Sequence, residues 1–367
     1  MKKILVIANL YPSKDDPTFG TFVKVFTDGL EGFFPDTVIV KSVIRGRTSS
    51  PIKKIWKYIS FYSLTFYRLL FHNYDLVYVH YISHSIPPVW LALKIKKLNL
   101  AFNIHGDDLL VKNTQGEMFL NMARPILGKS RMIVVPSSFF KDVLRQKFSE
   151  IRDDQIVVSA SGGVEKSFYQ VSNIGKKIVN KICLGYVSRI DKGKGWDVLL
   201  RAIERLNHKG IDIAATIIGT GAQVDDMKEM IAQKNLKSCV SYLGAIGHKE
   251  LPRFYKNFDL FIFPTMLPES LGLVGLEAMA SGTPVVGSRI GGLMSYIIDG
   301  VNGFLFAPGN EEELAEKILI YMKINEEERN KMRFAAYNEA RKYETEKTSS
   351  CIFEMINDIY GIKNKKH

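Results

Sequence analysis

Glu269 and Glu277 are separated by seven residues, with Gly272 between them, in the stretch PTMLPESLGLVGLEAMASGTPVV, residues 264–286. An apolar run precedes this stretch, a Pro-bearing loop opens it, and a Gly-Thr-Pro turn follows a short helix. The first turn of a helix leaves backbone N–H groups unpaired and carries a partial positive charge. A glycine there lets a phosphate approach the backbone closely. The spacing offers an anion site at the helix start, with one acid in the loop before it and one farther along the helix. A phosphate with a polyhydroxylated group on each side, such as a nucleotide diphosphate sugar, suits that arrangement. The plain alternative is a strand, loop and helix with two solvated acids.

A second set of candidates is cationic. In GYVSRIDKGKG, residues 185–195, Arg189 leaves a strand and Lys194 stands at a helix entrance. Two fixed cations beside a helix N-terminus hold a diphosphate and stabilise it as a leaving group. Solvated surface charges are the plain alternative. Gly219-Thr220-Gly221 also follows a strand. It lacks the rest of the dinucleotide fingerprint and is not at the first strand, which disfavours a dehydrogenase. The P-loop pattern is absent, which disfavours an ATPase. His105 ends an apolar strand and precedes Gly106, Asp107 and Asp108. It reads either as a structural hydrogen-bonder or as a group at the mouth of a sheet. Gly20, in the loop 11–23, either brings amides to a phosphate or serves the turn. Ser137 reads as a helix cap. His80 and His84 have i, i+4 spacing but no clustered third ligand, and Asp107-Asp108 demands no magnesium, so no metal site is expected.

These residues must be positioned by elements, and the elements alternate. Strand-like runs at 4–8, 37–43, 76–80, 100–104, 132–136 and 156–159 are followed by a polar stretch. A second series lies at 182–187, 213–218, 240–243, 260–264 and 284–288. Helical patterns between them argue for an α/β chain of two doubly wound parallel-sheet domains. The boundaries read as 1–172, a linker at 173–181, and 182–342. With 367 residues and 46% hydrophobic content, each domain can bury its own core. In such sheets ligands bind at the carboxyl ends of strands, where the candidates above sit.

No apolar run reaches the ~18 residues of a spanning helix. The start, MKKILVIANLYPS, reads as a buried first strand and not as a signal peptide. Cys183, Cys239 and Cys351 are scattered and odd in number, which suits a reducing cytoplasm. The formal net charge is +12, and no acid occurs between Asp36 and Asp75. That interval holds Lys41, Arg45, Lys53, Lys54 and Lys57, interleaved with aromatics such as Trp56, Tyr58 and Phe71. Residues 52–71 read as a helix apolar nearly all round. It is either a buried crossover or a helix resting on an anionic bilayer, and the two are compatible if only one face is buried. Nucleic acid is disfavoured, since no binding motif accompanies the charge.

Taken together, Arg189 with Lys194, Gly219-Thr220-Gly221, the block VSYLGAIGHKELPRFYKNFDLFIFPT, Glu269 with Glu277, and GTPVVGSRIGG followed by DGVNGFLFAPG resemble the retaining glycosyltransferases of family 4. The match is close over 182–310 and looser before it, where it rests on Gly20, on His105 in IHGDD and on the turn 137–139. The resemblance implies the GT-B fold, with two Rossmann-like domains facing across a cleft, an acceptor-side first domain, and a last helix (343–360) returning to it. It implies that Arg189 and Lys194 neutralise the diphosphate, that Glu277 holds the ribose hydroxyls, and that Glu269 contacts the transferred sugar. The amides of Leu271, Gly272 and Leu273 would bind phosphate or sugar oxygens, Gly219 and Gly221 would line the nucleotide, and Ile246 would meet the base. His105 would stand near the reacting sugar, and Gly20 in the loop covering the diphosphate. Two positions depart from the usual pattern: Phe19 replaces a second glycine, and Ser295 replaces an acid.

The implied reaction moves a sugar from a UDP- or GDP-sugar to a glycan or lipid-linked acceptor in surface-glycan synthesis. It proceeds with retention and without a required cofactor or essential metal. The implied location is cytoplasmic, peripheral on the inner face of the membrane through residues 41–71. A soluble acceptor, a nucleotide-sugar epimerase and a non-catalytic nucleotide-sugar binder on the same fold are the alternatives.

Overall fold

The alternation of apolar strands and amphipathic helices resolves, in a computed structural model, into two units: residues 1–162 with 346–367, and residues 163–345. The structure describes residues 1–17, 19–111, 113–160, 162–170, 174–175 and 181–362. Ser161 and most of the segment expected as a linker, 173–181, lie outside the described residues.

The first unit runs β1 (Lys3–Tyr11), α1 (Thr21–Phe33), β2 (Val38–Arg45), α2 (Pro51–Phe71), β3 (Leu76–His80), α3 (Ile86–Leu93), β4 (Leu100–Asn103), α4 (Thr114–Leu127), β5 (Met132–Val135), α5 (Ser138–Lys147) and β6 (Ile156–Val158). Its sheet is parallel, in the order β2-β1-β3-β4-β5-β6. Successive side chains of a strand point to opposite faces, so a sheet covered on both faces needs near-continuous apolar strands. Leu5, Ile7, Val77 and Val79 accordingly join one core, and Ile4, Val6, Leu76 and Tyr78 the other.

The second unit runs β7 (Ile182–Val187), α6 (Trp196–His208), β8 (Ile213–Ile218), α7 (Val224–Gln233), β9 (Val240–Tyr242), α8 (Pro252–Tyr255), β10 (Leu260–Phe263), α9 (Leu273–Ala280), β11 (Val285–Ser288), β12 (Gly303–Phe306), α10 (Glu311–Lys323) and α11 (Glu326–Ala340). Its strand order is β12-β11-β10-β7-β8-β9, again parallel. β12 was not expected from the sequence. The last helix, α12 (Thr345–Tyr360), buries Ile352, Phe353 and Ile356 in the core of the first unit.

In each sheet the order of connection reverses once, between β1 and β3 and between β7 and β10. Loops leaving adjacent strands at such a point diverge and open a crevice at the carboxyl edge, the usual ligand position in this architecture. Of the residues singled out from sequence, Gly20 follows β1, Arg189 and Lys194 follow β7, and Glu269 and Gly272 follow β10; His105, Gly219, Gly221 and Ile246 lie on loops after β4, β8 and β9.

α2 is the crossover between β2 and β3. Ser50 caps it, accepting a hydrogen bond from Lys53 N at 3.4 Å. It buries Phe61, Thr65 and Leu69, spaced by four residues, and leaves Ile52, Ile55, Trp56 and Phe71 between 59% and 69% exposed. One face is buried and the opposite apolar face is bare. No helix among the described residues is long and apolar enough to cross a membrane.

Candidate functional site

In the second unit the loop after β7 and the loop after β10 lie against each other at the strand-order reversal. Met266 N donates to Gly193 O at 2.8 Å, and buried Tyr186 of β7 donates its hydroxyl to Lys194 O at 3.2 Å. This contact fixes the Lys194 backbone and brings its side chain to Glu269, where Nζ donates to Oε1 at 2.7 Å. Thr265, fully buried, donates to the same carboxylate at 3.0 Å. Both members of the ion pair are largely enclosed, with side chains 13% and 19% exposed. Enclosure removes much of the solvent screening that makes surface pairs weak.

Gly272 ends this loop at φ 83°, a left-handed conformation that L side chains rarely adopt, and α9 begins at the next residue. A Cβ at Gly272 would stand 2.7 Å from the Phe263 ring. The glycine therefore lets the chain turn sharply off the carboxyl end of β10 into α9, which begins at Leu273. The loop is clamped from behind. Gly292 N donates to Glu269 O at 2.8 Å, and the Tyr296 hydroxyl donates to Gly272 O at 3.1 Å.

Arg189 lies on the β7 loop but points outward. Its side chain is 71% exposed and pairs with Asp191 at 2.9 Å. The other Asp191 oxygen accepts from Ala222 N at 2.8 Å, which ties this loop to the one after β8. Gly219 and Gly221 sit where those loops touch: a Cβ at either would fall 1.8 Å from Ser188 O or 2.4 Å from Ile190 O. Close backbone approach accounts for both glycines.

Glu277 is not a solvated acid. It is 5% exposed, on the inward side of α9. Tyr255 of α8 donates to its Oε2 at 3.2 Å, and His248 Nε2 lies 2.8 Å from its Oε1. Burial, and then the adjacent carboxylate, hold the Tyr255 hydroxyl in its protonated form. Hydrogen bonding to Glu277 raises the pKa of His248 against the opposing effect of burial. Half-buried Ile246 lies two residues before His248, on the loop after β9. The structure thus brings Lys194 to Glu269, and gives Glu277 partners that the sequence reading did not name.

The first unit presents a separate cluster at its own strand reversal. His105 Nε2 and His80 Nδ1 are 3.0 Å apart; His80 is buried, and His105 is partly buried at the end of its strand. Burial drives the pKa of His105 down to about 3. It drives that of His80 well below its ordinary value, with His105 adding to the effect. Both rings are therefore neutral near pH 7. Tyr81 stacks on His105 at 4.7 Å and holds φ 61°, a strained value for a residue with a Cβ. Phe22 packs against the same ring at 4.6 Å and lies 6.2 Å from Tyr81, carried there by α1, whose cap Gly20 is left-handed at φ 72°. Asp108 was not singled out beyond its acidity. Its buried carboxylate accepts from Ile82 N, His105 N and Gly106 N at 2.9, 2.9 and 3.0 Å. It pins the loop after β4 to the loop after β3. Burial raises its pKa to about 6 against those three bonds. Ser137 caps α5, accepting from Phe140 N at 3.5 Å.

Among the described residues no group of three or more His, Cys, Asp and Glu side chains is placed to hold a metal ion.

Comparison with known proteins agrees with this architecture. Residues 170–339 match the family described as glycosyl transferases group 1, and residues 18–162 match glycosyltransferase family 4. An uncharacterized glycosyltransferase of Methanocaldococcus jannaschii is 28% identical over 250 residues, which is 67% of this chain and 64% of that protein. A capsular polysaccharide biosynthesis glycosyltransferase of Staphylococcus aureus is 27% identical over 212 residues, 55% of this chain and 53% of that protein. The chain therefore matches less than two thirds of either relative's length. The Anabaena protein HepE, solved in complex with UDP, superimposes with a TM-score of 0.75 at 20% identity, over 98% of this chain and all of that one.

Proposed function

The chain belongs to the group 1, family 4 glycosyltransferases of GT-B fold, and from that premise we propose that it is a retaining enzyme transferring a sugar from a nucleoside diphosphate sugar to a glycan or lipid-linked acceptor. The observation that carries this reading is the Lys194–Glu269 pair at the sheet's reversal point, beside the Gly272 turn and the first turn of α9. As the glycosidic bond breaks, negative charge develops on the departing diphosphate. Lys194, the α9 amides and Arg189, once swung from Asp191, supply positive charge without reorganising much protein. Glu269 holds the Lys194 ammonium in place and faces the sugar hydroxyls. Glu277 accepts from the ribose hydroxyls. His105, held neutral, is available as a hydrogen-bonding group and not as a cation. A retained anomeric configuration fits same-face attack, in which the acceptor proton passes to the leaving phosphate.

HepE was solved with UDP and also with UDP-glucose, which supports a uridine nucleotide as the first donor to try. The capsule-synthesis relative supports a surface glycan as product class. The reaction needs no metal in this reading. The test is donor turnover with and without acceptor. Release of UDP or GDP that rises with a glycan or lipid-linked acceptor supports transfer. Donor interconversion with no acceptor would instead identify an epimerase, and tight donor binding without turnover would identify a binding protein.

The bare face of α2 supports a lipid-linked acceptor over a soluble one. Ile52, Ile55 and Trp56 project from it, with Lys53 and Lys54 exposed beside them. Apolar side chains flanked by lysines suit the interface of an anionic bilayer. The enzyme then works at the inner face of the membrane.

A further inference from the structure

His248 is the half-exposed residue in front of Glu277. Its Nε2 lies 2.8 Å from Glu277 Oε1 and its Nδ1 lies 3.7 Å from Glu165 Oε1. The ring also packs on Phe168 at 5.2 Å. A neutral imidazole has one N–H, so a ring with a carboxylate at each nitrogen is best satisfied as the doubly protonated cation. The titratable groups facing it are Glu277 on α9 and Glu165 in the segment preceding Phe168, with Tyr255 of α8 behind Glu277. Tyr255 occupies Oε2 from the buried side. The oxygen on the exposed side is the one His248 covers.

We propose that His248 is a competitor for the donor's ribose: a nucleotide reaches Glu277 by displacing the imidazolium, which then loses its proton to solvent. This rests on the reading of Glu277 as the ribose acceptor and adds a coupling between donor binding and pH. Protonated His248 holds Glu277 closed. As pH rises and the ring is neutralised, the imidazole–carboxylate bond weakens and the diol gains access. Donor affinity therefore increases with pH, and binding releases a proton.

The test is calorimetric titration with UDP-glucose and GDP-mannose, whose esterified diphosphates do not titrate in this range, from pH 5.5 to 8.5. It uses the full chain, wild type and His248→Gln, in buffers of different ionisation enthalpy. Wild type should bind at least about threefold more tightly at pH 8 than at pH 6, with proton release detected near neutrality. His248→Gln should bind with a flat pH profile and more tightly than wild type at pH 6. An unchanged pH profile in His248→Gln overturns the proposal while leaving the donor site intact. Loss of binding in His248→Gln at every pH also overturns it, since the ring would then be a direct donor contact. If neither nucleotide sugar binds wild type at any pH, the donor-site reading fails and this inference falls with it.

Discussion

Lys194 and Glu269 are 75 residues apart in sequence and 2.7 Å apart in the fold, on the loops that leave β7 and β10 where the strand order reverses. Their contact follows from topology. Two strands adjacent in the sheet but distant in sequence deliver one cation and one anion to the same crevice.

Replacing Lys194 separates structural from catalytic contributions. Lys194→Ala removes the cation and leaves the Thr265 hydroxyl as a donor to the enclosed Glu269 carboxylate. A stability loss of about 1–3 kcal/mol is expected by denaturant titration. Turnover should fall by about 10²–10³, the scale of removing one donor to a developing charge. Lys194→Met, which keeps the stem, should retain more stability but recover no turnover.

The Gly272 turn is required for its conformation. Gly272→Ala combines φ 83° with a Cβ 2.7 Å from Phe263, and should cost about 1–3 kcal/mol. Gly300 has φ 78° with no atom within 4 Å of a Cβ. Gly300→Ala should cost only about 1 kcal/mol or less. Melting temperatures of the two variants compare strain plus a clash with strain alone. Only Gly272→Ala should also weaken nucleotide binding, because it re-aims the first turn of α9.

The His80–His105 pair makes acid destabilising. Both rings have a pKa below the ordinary 6.5 in the fold, His105 at about 3. Below pH 6.5 the unfolded chain takes up protons that the folded chain refuses, so stability falls as pH drops through this window. Asp108 acts in the opposite sense between about 6 and 3.8, since its raised pKa lets the folded state hold a proton that the unfolded chain releases. His105→Asn should flatten the dependence of melting temperature on pH between 4.5 and 6.5. An unchanged slope would argue against a neutral His105.

The α2 face gives a membrane prediction in which not all lysines are equal. Lys57, which in sequence belongs to the same basic stretch, donates to Arg45 O and Gly46 O at 2.8 Å each and so ties α2 to the end of β2. Lys53→Glu with Lys54→Glu, leaving Lys57 in place, should abolish flotation with vesicles containing anionic lipid and leave the melting temperature within about 1 °C. Trp56→Ser should weaken flotation without changing its salt dependence. Flotation unaffected by either change would contradict a membrane role for this face.

The strands were legible because a sheet covered on both faces demands unbroken apolar runs, and those of β5, β6 and β10 have no polar interruption. β12 was not, since GFLF is only four residues between turn-forming Asn302 and Pro308. The acids of the second unit were legible as candidates through their spacing around Gly272. Their environments were not. Tyr255 and His248 reach Glu277 from 22 and 29 residues away, and no local pattern announces that meeting. His248 lay inside a stretch singled out for its overall form, but a lone histidine before a short helix carries no signal of its own. Asp108 was visible only as an acid beside His105; its three backbone bonds come from a loop 26 residues earlier as well as from its own turn.

The proposed function rests on a nucleoside diphosphate site, independent of metal, at Arg189, Lys194 and the first turn of α9. The most direct measurement is a thermal-shift panel of UDP, GDP and their sugars on wild type and Arg189→Ala, with and without EDTA. A ligand at a hundred times its Kd should add about 2.7 kcal/mol of stability. Stabilisation by one nucleotide series is expected, unchanged by EDTA and largely lost in Arg189→Ala. No shift with any nucleotide, or a shift that requires metal and is indifferent to Arg189, would contradict it.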